Sequence, residues 1–255
     1  MVDLFKPLYR IYKWKLWRQI KSKNVPKHIG IILDGNRRYA NEKGLNTLLG
    51  HKMGAEKVRI FLKWCWKLGI EGATLYAFSL ENFNRNKKEI ESIFEIAKEK
   101  FKEILTDIAV KKNQVRVKAI GRIELLSPDL QEIIKEAEES TINYNKHFLN
   151  IAIGYSGRSE ICDAFKKIAK KIIEKKLTLN QIDEQVISEN LYTAGLPDPD
   201  LIIRTSGEER LSGFLLWQSA YSELYFIDVY WPDLREIDFW RAIRVYQKRE
   251  RRFGS

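Results

Sequence analysis

The stretch HIGIILDGNRRYANEKG, His28 to Gly44, contains an apolar run that stops abruptly. Ile29 to Leu33 is short, aliphatic and unbroken, as in a strand buried within a parallel sheet. At Asp34 it gives way to Gly35, Asn36, Arg37 and Arg38, a flexible turn followed by residues that can open a helix. In open parallel sheets, ligands gather just beyond the carboxyl ends of the strands. A carboxylate, a turn and two guanidinium groups therefore stand where an α/β protein keeps its chemistry.

Working outward, the same alternation recurs along the 255 residues. Further strand-like runs are Thr74 to Phe78, Val115 to Ile120, Phe148 to Ile153, Leu201 to Ile203 and Leu224 to Ile227. Helical patterns lie between them at Met53 to Leu68, Lys87 to Lys112, Asp129 to Asn145, Glu160 to Lys176 and Ile182 to Leu191. A last helix is predicted over Asp238 to Arg252 with Asp238 as its N-cap. Strand and helix in alternation predict an α/β fold, a single domain with a mostly parallel, six-stranded central sheet flanked by helices. The Pro-rich AGLPDPDL, Ala194 to Leu201, is too short for an interdomain linker and reads as a connection into a strand.

The formal charge is +11 and the sequence pI near 9.4, which point to an anionic partner: nucleic acid, an acidic membrane surface or a phosphorylated small molecule. Cys65 and Cys162 stand far apart with no second cysteine or histidine at ligand spacing, so neither a disulfide framework nor a zinc site is expected. The N-terminal residues lack the apolar core and cleavage site of a signal peptide, and no apolar run is long enough to span a bilayer. A soluble, cytoplasmic protein is expected. Residues 1–24 form a separate element, a basic amphipathic helix, ahead of a domain over 25–255. Within it LFKPLYRIYKWKLWRQIKSK, Leu4 to Lys23, mixes Lys and Arg with Trp14, Trp17, Tyr9 and Tyr12. Two readings stand for it: peripheral association with a membrane, or packing on its own domain.

The residues that follow the strands belong together. Asp34 to Arg38 follow the first strand, SLENFNR (Ser79 to Arg85) the second, GYSGR (Gly154 to Arg158) the fourth and RTSGEERLS (Arg204 to Ser212) the fifth. One rim would thus gather Asp34, Arg37, Arg38, Arg85, Arg204 and Arg210 with Ser79, Ser206, Ser212 and glycines 35, 207 and 213. Guanidinium forks hold phosphate oxygens through paired hydrogen bonds, and glycine turns let backbone amides approach an anion. This composition predicts a diphosphate site. A lone carboxylate among arginines is either their counter-ion or a ligand for Mg²⁺, which needs only one or two protein carboxylates when phosphates and waters fill its octahedron. His51, in LLGHKMG, reads either as a helix-start histidine or as a group beside the reacting centre. Tyr39, Phe78 and Phe83 read as core or as the wall of an apolar cleft. The absence of Walker A, GxGxxG, HExxH and GxSxG patterns argues against nucleotide hydrolysis, Rossmann redox chemistry, zinc hydrolysis and serine esterase activity.

HIGIILDGNRRYA, GHKMGAEKV, LYAFSLENFNR and IIRTSGEERLSGFLLWQSAYSELYFIDVYWPD, in this order, resemble the cis-prenyltransferases, the undecaprenyl diphosphate synthase family. The likeness runs from about His28 to Gly254. It implies a homodimeric, Mg²⁺-dependent enzyme that condenses isopentenyl diphosphate repeatedly onto an allylic diphosphate starter, farnesyl or geranylgeranyl diphosphate. The product would be a cis-polyprenyl diphosphate, the precursor of a glycosyl-carrier lipid. By this resemblance Asp34 is the Mg²⁺-associated aspartate, and Gly35, Asn36, Arg37 and Arg38 bind the allylic diphosphate. Asn36 and His51 lie beside the reaction centre, and Tyr39 and Phe83 line the substrate. Arg204, Arg210 and Ser212 grip isopentenyl diphosphate, and Ser79, Asn82 and Arg85 complete the cleft, with Asn82 counted among the catalytic groups. Glu223 is a further acidic residue near the metal and the dimer contact. The closing RFG motif, Arg252 to Gly254, would reach the neighbouring subunit's phosphate site. An apolar tunnel beside the sheet, walled by Met53 to Leu68 and Lys87 to Lys112, would take the growing chain.

The chain departs from the family pattern at Thr47, where an arginine that helps hold the allylic diphosphate is often found. Two other functions compete. A catalytically silent subunit of a heteromeric prenyltransferase would have lost the aspartate or the arginines, which this chain keeps. A nucleic-acid-binding protein would show a reader motif or stacking platform, and none is present, so no nucleic-acid partner is expected.

Overall fold

In the computed structural model, which describes residues 6–249, each of the six apolar runs forms a strand. They are β1 (His28–Ile32), β2 (Gly72–Ser79), β3 (Val115–Ile120), β4 (His147–Tyr155), β5 (Leu201–Arg204) and β6 (Glu223–Phe226). They lie in one sheet in the order β3-β4-β2-β1-β5-β6, so the chain starts in the middle and works toward both edges. This is a parallel, helix-flanked α/β sheet, as the alternation predicts. Among the described residues no helix is long and apolar enough to cross a membrane.

The helices are α1 (Lys6–Ile20), α2 (Asn36–Glu42), α3 (Thr47–Lys67), α4 (Lys87–Thr106), α5 (Ile108–Lys112), α6 (Pro128–Thr141), α7 (Gly157–Ile173), α8 (Glu184–Ser188) and α9 (Glu236–Tyr246). Their boundaries depart from the sequence reading where a polar side chain intervenes. α3 begins at Thr47 and not at Met53, because the Asn46 side chain caps it by accepting from the Leu49 amide at 2.8 Å. The single helix expected over Lys87 to Lys112 is two, since Asp107 is extended and its carboxylate accepts from the Ala109 amide at 2.7 Å to start α5. α9 starts before Asp238, whose carboxylate reaches back to the Arg235 amide from inside the first turn, at 3.3 Å.

The residues cluster in two compact units. The first comprises Met1–Ala73, Pro199–Glu209 and Tyr221–Ser255. In it β1 pairs with β5 and β5 with β6, all parallel, with Ile29 opposite Leu201, Leu201 opposite Glu223, Ile32 opposite Arg204 and Arg204 opposite Phe226. Buried aromatic rings fill its core: Phe61 of α3 meets Trp231 edge-on at 5.6 Å and Phe239 at 5.1 Å. α1 packs along α9 through buried Leu16 and Ile20, with Trp17 and Trp240 at 5.1 Å between centroids.

The second unit comprises Thr74–Asp198 and Arg210–Ala220. β3 and β4 pair in parallel from Val115 opposite His147 to Ile120 opposite Ala152, and α6 lies against β3. The loop after β3 turns at Gly121, with φ 132°. A Cβ there would stand 2.2 Å from the Ile153 carbonyl oxygen, a backbone atom that cannot step aside. Gly121→Ala is therefore expected to destabilise the protein by about 2 kcal/mol, read as a lower denaturant midpoint at unchanged slope.

Candidate functional site

In the first unit the register sets Ile32, Arg204 and Phe226 level at the carboxyl end of the sheet. The backbone beyond this line is stitched together. Thr205 Oγ1 accepts from the Asp34 amide at 3.1 Å and donates to the Asp34 carbonyl at 2.7 Å. The Trp231 amide donates to the same carbonyl at 3.0 Å, and the Ser206 amide to Val229 O at 2.8 Å. Three strand ends thus hold one another before any ligand arrives.

The Asp34 carboxylate stands between two guanidinium groups. Arg38 Nη2 donates to Oδ1 at 3.2 Å and Arg204 Nη2 to Oδ2 at 2.8 Å. Arg38 also donates to Glu208 Oε1 at 3.1 Å and spans the face of Tyr230 at 5.9 Å. Arg204 is 5% exposed, whereas the Asp34 side chain keeps 26%. A buried guanidinium retains its charge, so it is a fixed cation with its partner carboxylate open to solvent on one side.

Gly35 makes the turn from β1 into α2 with φ 102°, and a Cβ there would meet the Tyr230 ring at 2.7 Å. The turn leaves Asn36 as the first residue of α2, its Oδ1 buried without a hydrogen-bond partner among the described residues. Ser206 is likewise buried, with an unpartnered Oγ and a backbone φ of 79° that a serine rarely adopts. Buried polar atoms are almost always satisfied. Both unsatisfied atoms belong to residues next to the Asp34 cluster, and unsatisfied or strained groups of this kind gather at functional sites.

Asn36 is fixed by α3, whose Gly50 and Gly54 let α2 come close. A Cβ at Gly50 would lie 2.4 Å from the Asn36 carbonyl oxygen, and one at Gly54 would lie 2.3 Å from Asn36 Oδ1. Trp231 Nε1 donates to the Gly54 carbonyl at 2.7 Å, which locks α3 from the other side. His51 stands half-buried on the same helix, and Arg37 is exposed on α2.

The other expected residues lie in the second unit. Ser79 ends β2, and its amide donates to Asn82 Oδ1 at 3.1 Å within the short turn Leu80–Asn84. Phe83 packs edge-on against Phe78 at 5.1 Å and near Phe94 at 6.0 Å. Arg85 pairs with Glu89 at 3.1 Å. Arg210 is exposed, and Ser212, at φ 49°, has its carbonyl held by Tyr76 Oη at 3.2 Å. The segment after it is tied down through Gln218, which donates to the buried Glu160 carboxylate at 3.1 Å. Tyr155 donates to the same carboxylate, and burial keeps its phenol well above the ordinary tyrosine range.

Glu223 opens β6 three residues before Phe226, so at about 3.3 Å per residue it stands about 10 Å below the rim, paired with Arg249. Tyr39 is only 7% exposed. Arg252 and Gly254 lie outside the described residues. The sequence reading gave no role to Thr205, Glu208, Gly50, Gly54 or Tyr230. Glycines four apart in GHKMG were the available sign that another backbone approaches that face of the helix.

Among the described residues no three His, Cys, Asp or Glu side chains gather as a metal cage. One part-exposed carboxylate beside two guanidinium groups fits a hard divalent cation that arrives already bound to phosphate oxygens, and not a metal held by protein ligands alone.

Comparison with known proteins gives consistent results. A family model described as "Putative undecaprenyl diphosphate synthase" matches residues 32–254. The chain is 55% identical to the tritrans,polycis-undecaprenyl-diphosphate synthase (geranylgeranyl-diphosphate specific) of Methanocaldococcus jannaschii, over 96% of this chain and 89% of that protein. It is 50% identical to the enzyme of the same description from Methanopyrus kandleri, over 98% of this chain and 92% of the other. A similar solved structure is that of lavandulyl diphosphate synthase from Lavandula x intermedia in complex with dimethylallyl diphosphate. It has a TM-score of 0.85 and 34% identity, and the match covers 91% of this chain and 99% of that one.

Proposed function

The chain belongs to the undecaprenyl diphosphate synthase family and is a prenyl-transferring enzyme, and we propose that it condenses several isopentenyl diphosphates onto geranylgeranyl diphosphate to give a long cis-polyprenyl diphosphate. The observation that carries this reading is Asp34 held between Arg38 and Arg204 at the ends of β1 and β5. Geranylgeranyl diphosphate is preferred to farnesyl diphosphate as starter because the relatives at 55% and 50% identity carry that specificity in their names. The product is the kind of lipid that carries glycosyl groups.

Breaking the allylic carbon–oxygen bond leaves positive charge on carbon and negative charge on diphosphate. Arg37 and Arg38, with the amides that open α2, hold the departing anion. Arg204, Arg210 and Ser212 hold the isopentenyl diphosphate, whose double bond attacks the allylic carbon; a proton then leaves the adjacent carbon. Asn36, His51 and Asn82 orient the reacting groups, and Ser79, Arg85 and Phe83 bind and enclose the substrate. Asp34 is the residue that would hold a Mg²⁺ brought in with the diphosphate, and the ion would supply Lewis-acid charge to the leaving group. In the resting state the two arginines neutralise Asp34, which keeps a bare carboxylate from repelling an incoming polyanion.

We place the route of the apolar chain in the second unit, along α4. α4 carries Phe94 beside Phe83 and, about three turns on, Ile104 and Leu105, which border a cavity of 680 Å³ with Ile108, Val110 and Tyr144. A tunnel along this helix would keep water from the cation-like centre and receive the product. By family resemblance the enzyme is a homodimer with 25–255 as its catalytic domain, and Glu223, Arg252 and Gly254 serve the subunit contact and the phosphate site across it.

The test is incorporation of labelled isopentenyl diphosphate by the purified protein with Mg²⁺. Geranylgeranyl diphosphate should give butanol-extractable, long-chain product at a higher kcat/KM than farnesyl diphosphate. No chain elongation with either starter would overturn the reading, and a preference for farnesyl diphosphate would overturn the starter assignment.

A further inference from the structure

We propose that the outward face of α1 docks the protein on an anionic lipid bilayer. α1 spends only one side on its own unit: Leu16 and Ile20 are buried, Trp17 stacks near Trp240, and Gln247 Nε2 donates to the Ile20 carbonyl at 3.0 Å. The other side exposes large apolar groups three residues apart, Leu8 at 61%, Ile11 at 59% and Trp14 at 58%. A helix already packed on one face has no structural need for such a stripe.

The charges that α1 itself carries are all of one sign, with Lys13, on the side toward α9, paired to Glu236. The segment KPLYRIYKWKLWRQI contains five basic residues and no acidic one, and Lys21 and Lys23 follow it. Arg10, Lys15 and Arg18 are exposed beside the apolar groups, and the Arg18 guanidinium lies over the Trp14 ring at 4.9 Å. Next to the end of α1 a groove of 290 Å³ is lined by Gln19, Lys23, Arg244, Gln247 and Lys248, three of the five cationic. Apolar groups that enter the acyl boundary, an indole at its level and cations at the depth of lipid phosphates make an interfacial helix. The groove adds a place for a phosphate head group.

Charge selects the occupant. A second copy meeting this face about a twofold axis would bring the same cations against themselves. A nucleic acid would find Leu8 and Ile11 where it needs cations or stacking rings. An anionic bilayer satisfies both halves of the face. Docking and prenyl transfer are separable properties, because none of these residues belongs to the Asp34 site.

The full-length protein is sedimented with vesicles of phosphatidylcholine alone and of phosphatidylcholine mixed with phosphatidylglycerol, alongside Ile11→Glu/Trp14→Glu and Lys15→Glu/Arg18→Glu. The wild type should partition onto the anionic vesicles at least about tenfold more strongly than onto neutral ones. Each double variant should lose about tenfold, with prenyl transfer in detergent solution and the thermal midpoint unchanged. Brominated anionic lipid should also quench wild-type tryptophan emission, which tests the contact even if a variant folds poorly. Equal binding to neutral vesicles, no vesicle binding, no quenching, or undiminished binding by well-folded variants would overturn the proposal. So would a change of oligomeric state in Ile11→Glu/Trp14→Glu, which would assign the face to another copy, or RNA binding lost in Lys15→Glu/Arg18→Glu without vesicle binding.

Discussion

Asp34→Asn lowers kcat by about 10³-fold or more while the protein stays folded; this is the largest effect expected from a single substitution in this chain. The asparagine keeps the shape of the side chain, and its one carbonyl oxygen can still accept from Arg204 while its amide nitrogen cannot accept from Arg38; the stitching to Thr205 and Trp231 uses the main chain of residue 34 and persists. What goes is the charge that would hold Mg²⁺ against the departing diphosphate. A single preorganised electrostatic group at a developing charge is worth about 10²–10³ in rate, and loss of a divalent cation as well raises the figure. Because the charge matters most as the bond breaks, kcat should fall more than KM rises. Folding also suffers modestly, since Arg204 is buried and exchanges a carboxylate for a neutral amide. Steady-state kinetics with a thermal melt separate the two effects. Turnover undiminished in this variant would remove Asp34 from the mechanism.

The second large effect comes from a residue that contacts no substrate. Gly54→Ala places a methyl group 2.3 Å from Asn36 Oδ1 and 2.8 Å from its Cγ, so the amide must move by about an ångström. Alanine is also a better helix former than glycine by about 1 kcal/mol, which supports α3 and opposes any loss of fold. Displacing an orienting group by this distance costs about 10²-fold in rate. Gly54→Ala should therefore lose about 10² in kcat with a thermal midpoint at or near that of the wild type. Gly50→Ala serves as the contrast, because its methyl meets the Asn36 carbonyl, a backbone atom, at 2.4 Å. That variant should lose stability along with rate. Full activity in Gly54→Ala would show that the Asn36 amide does not orient the reacting groups.

These two positions also mark how far the sequence could be read. Unbroken aliphatic runs such as Ile29 to Leu33 have one good fate in a chain of this composition, a strand covered on both faces, so all six strands and their parallel character were legible. Asp34, Arg38 and Arg204 were legible as a group because the strand-end rule fixes where such residues meet. Helix boundaries were less so: Asn46 and Asp107 act through single hydrogen bonds to nearby amides, which periodicity does not register. Gly54 and Thr205 were missed for a different reason. Their effect depends on the distance to a residue remote in sequence, and no local pattern encodes it. The β5–β6 register that sets Glu223 below the rim is likewise a non-local feature that its residue type does not reveal.

Asp34 and Arg204 are separated by 170 residues yet share a hydrogen bond at 2.8 Å. A chain emerging from the ribosome completes its first strand, its aspartate and two arginines long before the fifth strand exists. Closing so long a loop is entropically expensive, and non-local parallel pairing is slow. The Asp34–Arg204 pair is thus among the last parts of the chain to assemble, and a nascent or truncated polypeptide lacks the buried cation that faces Asp34.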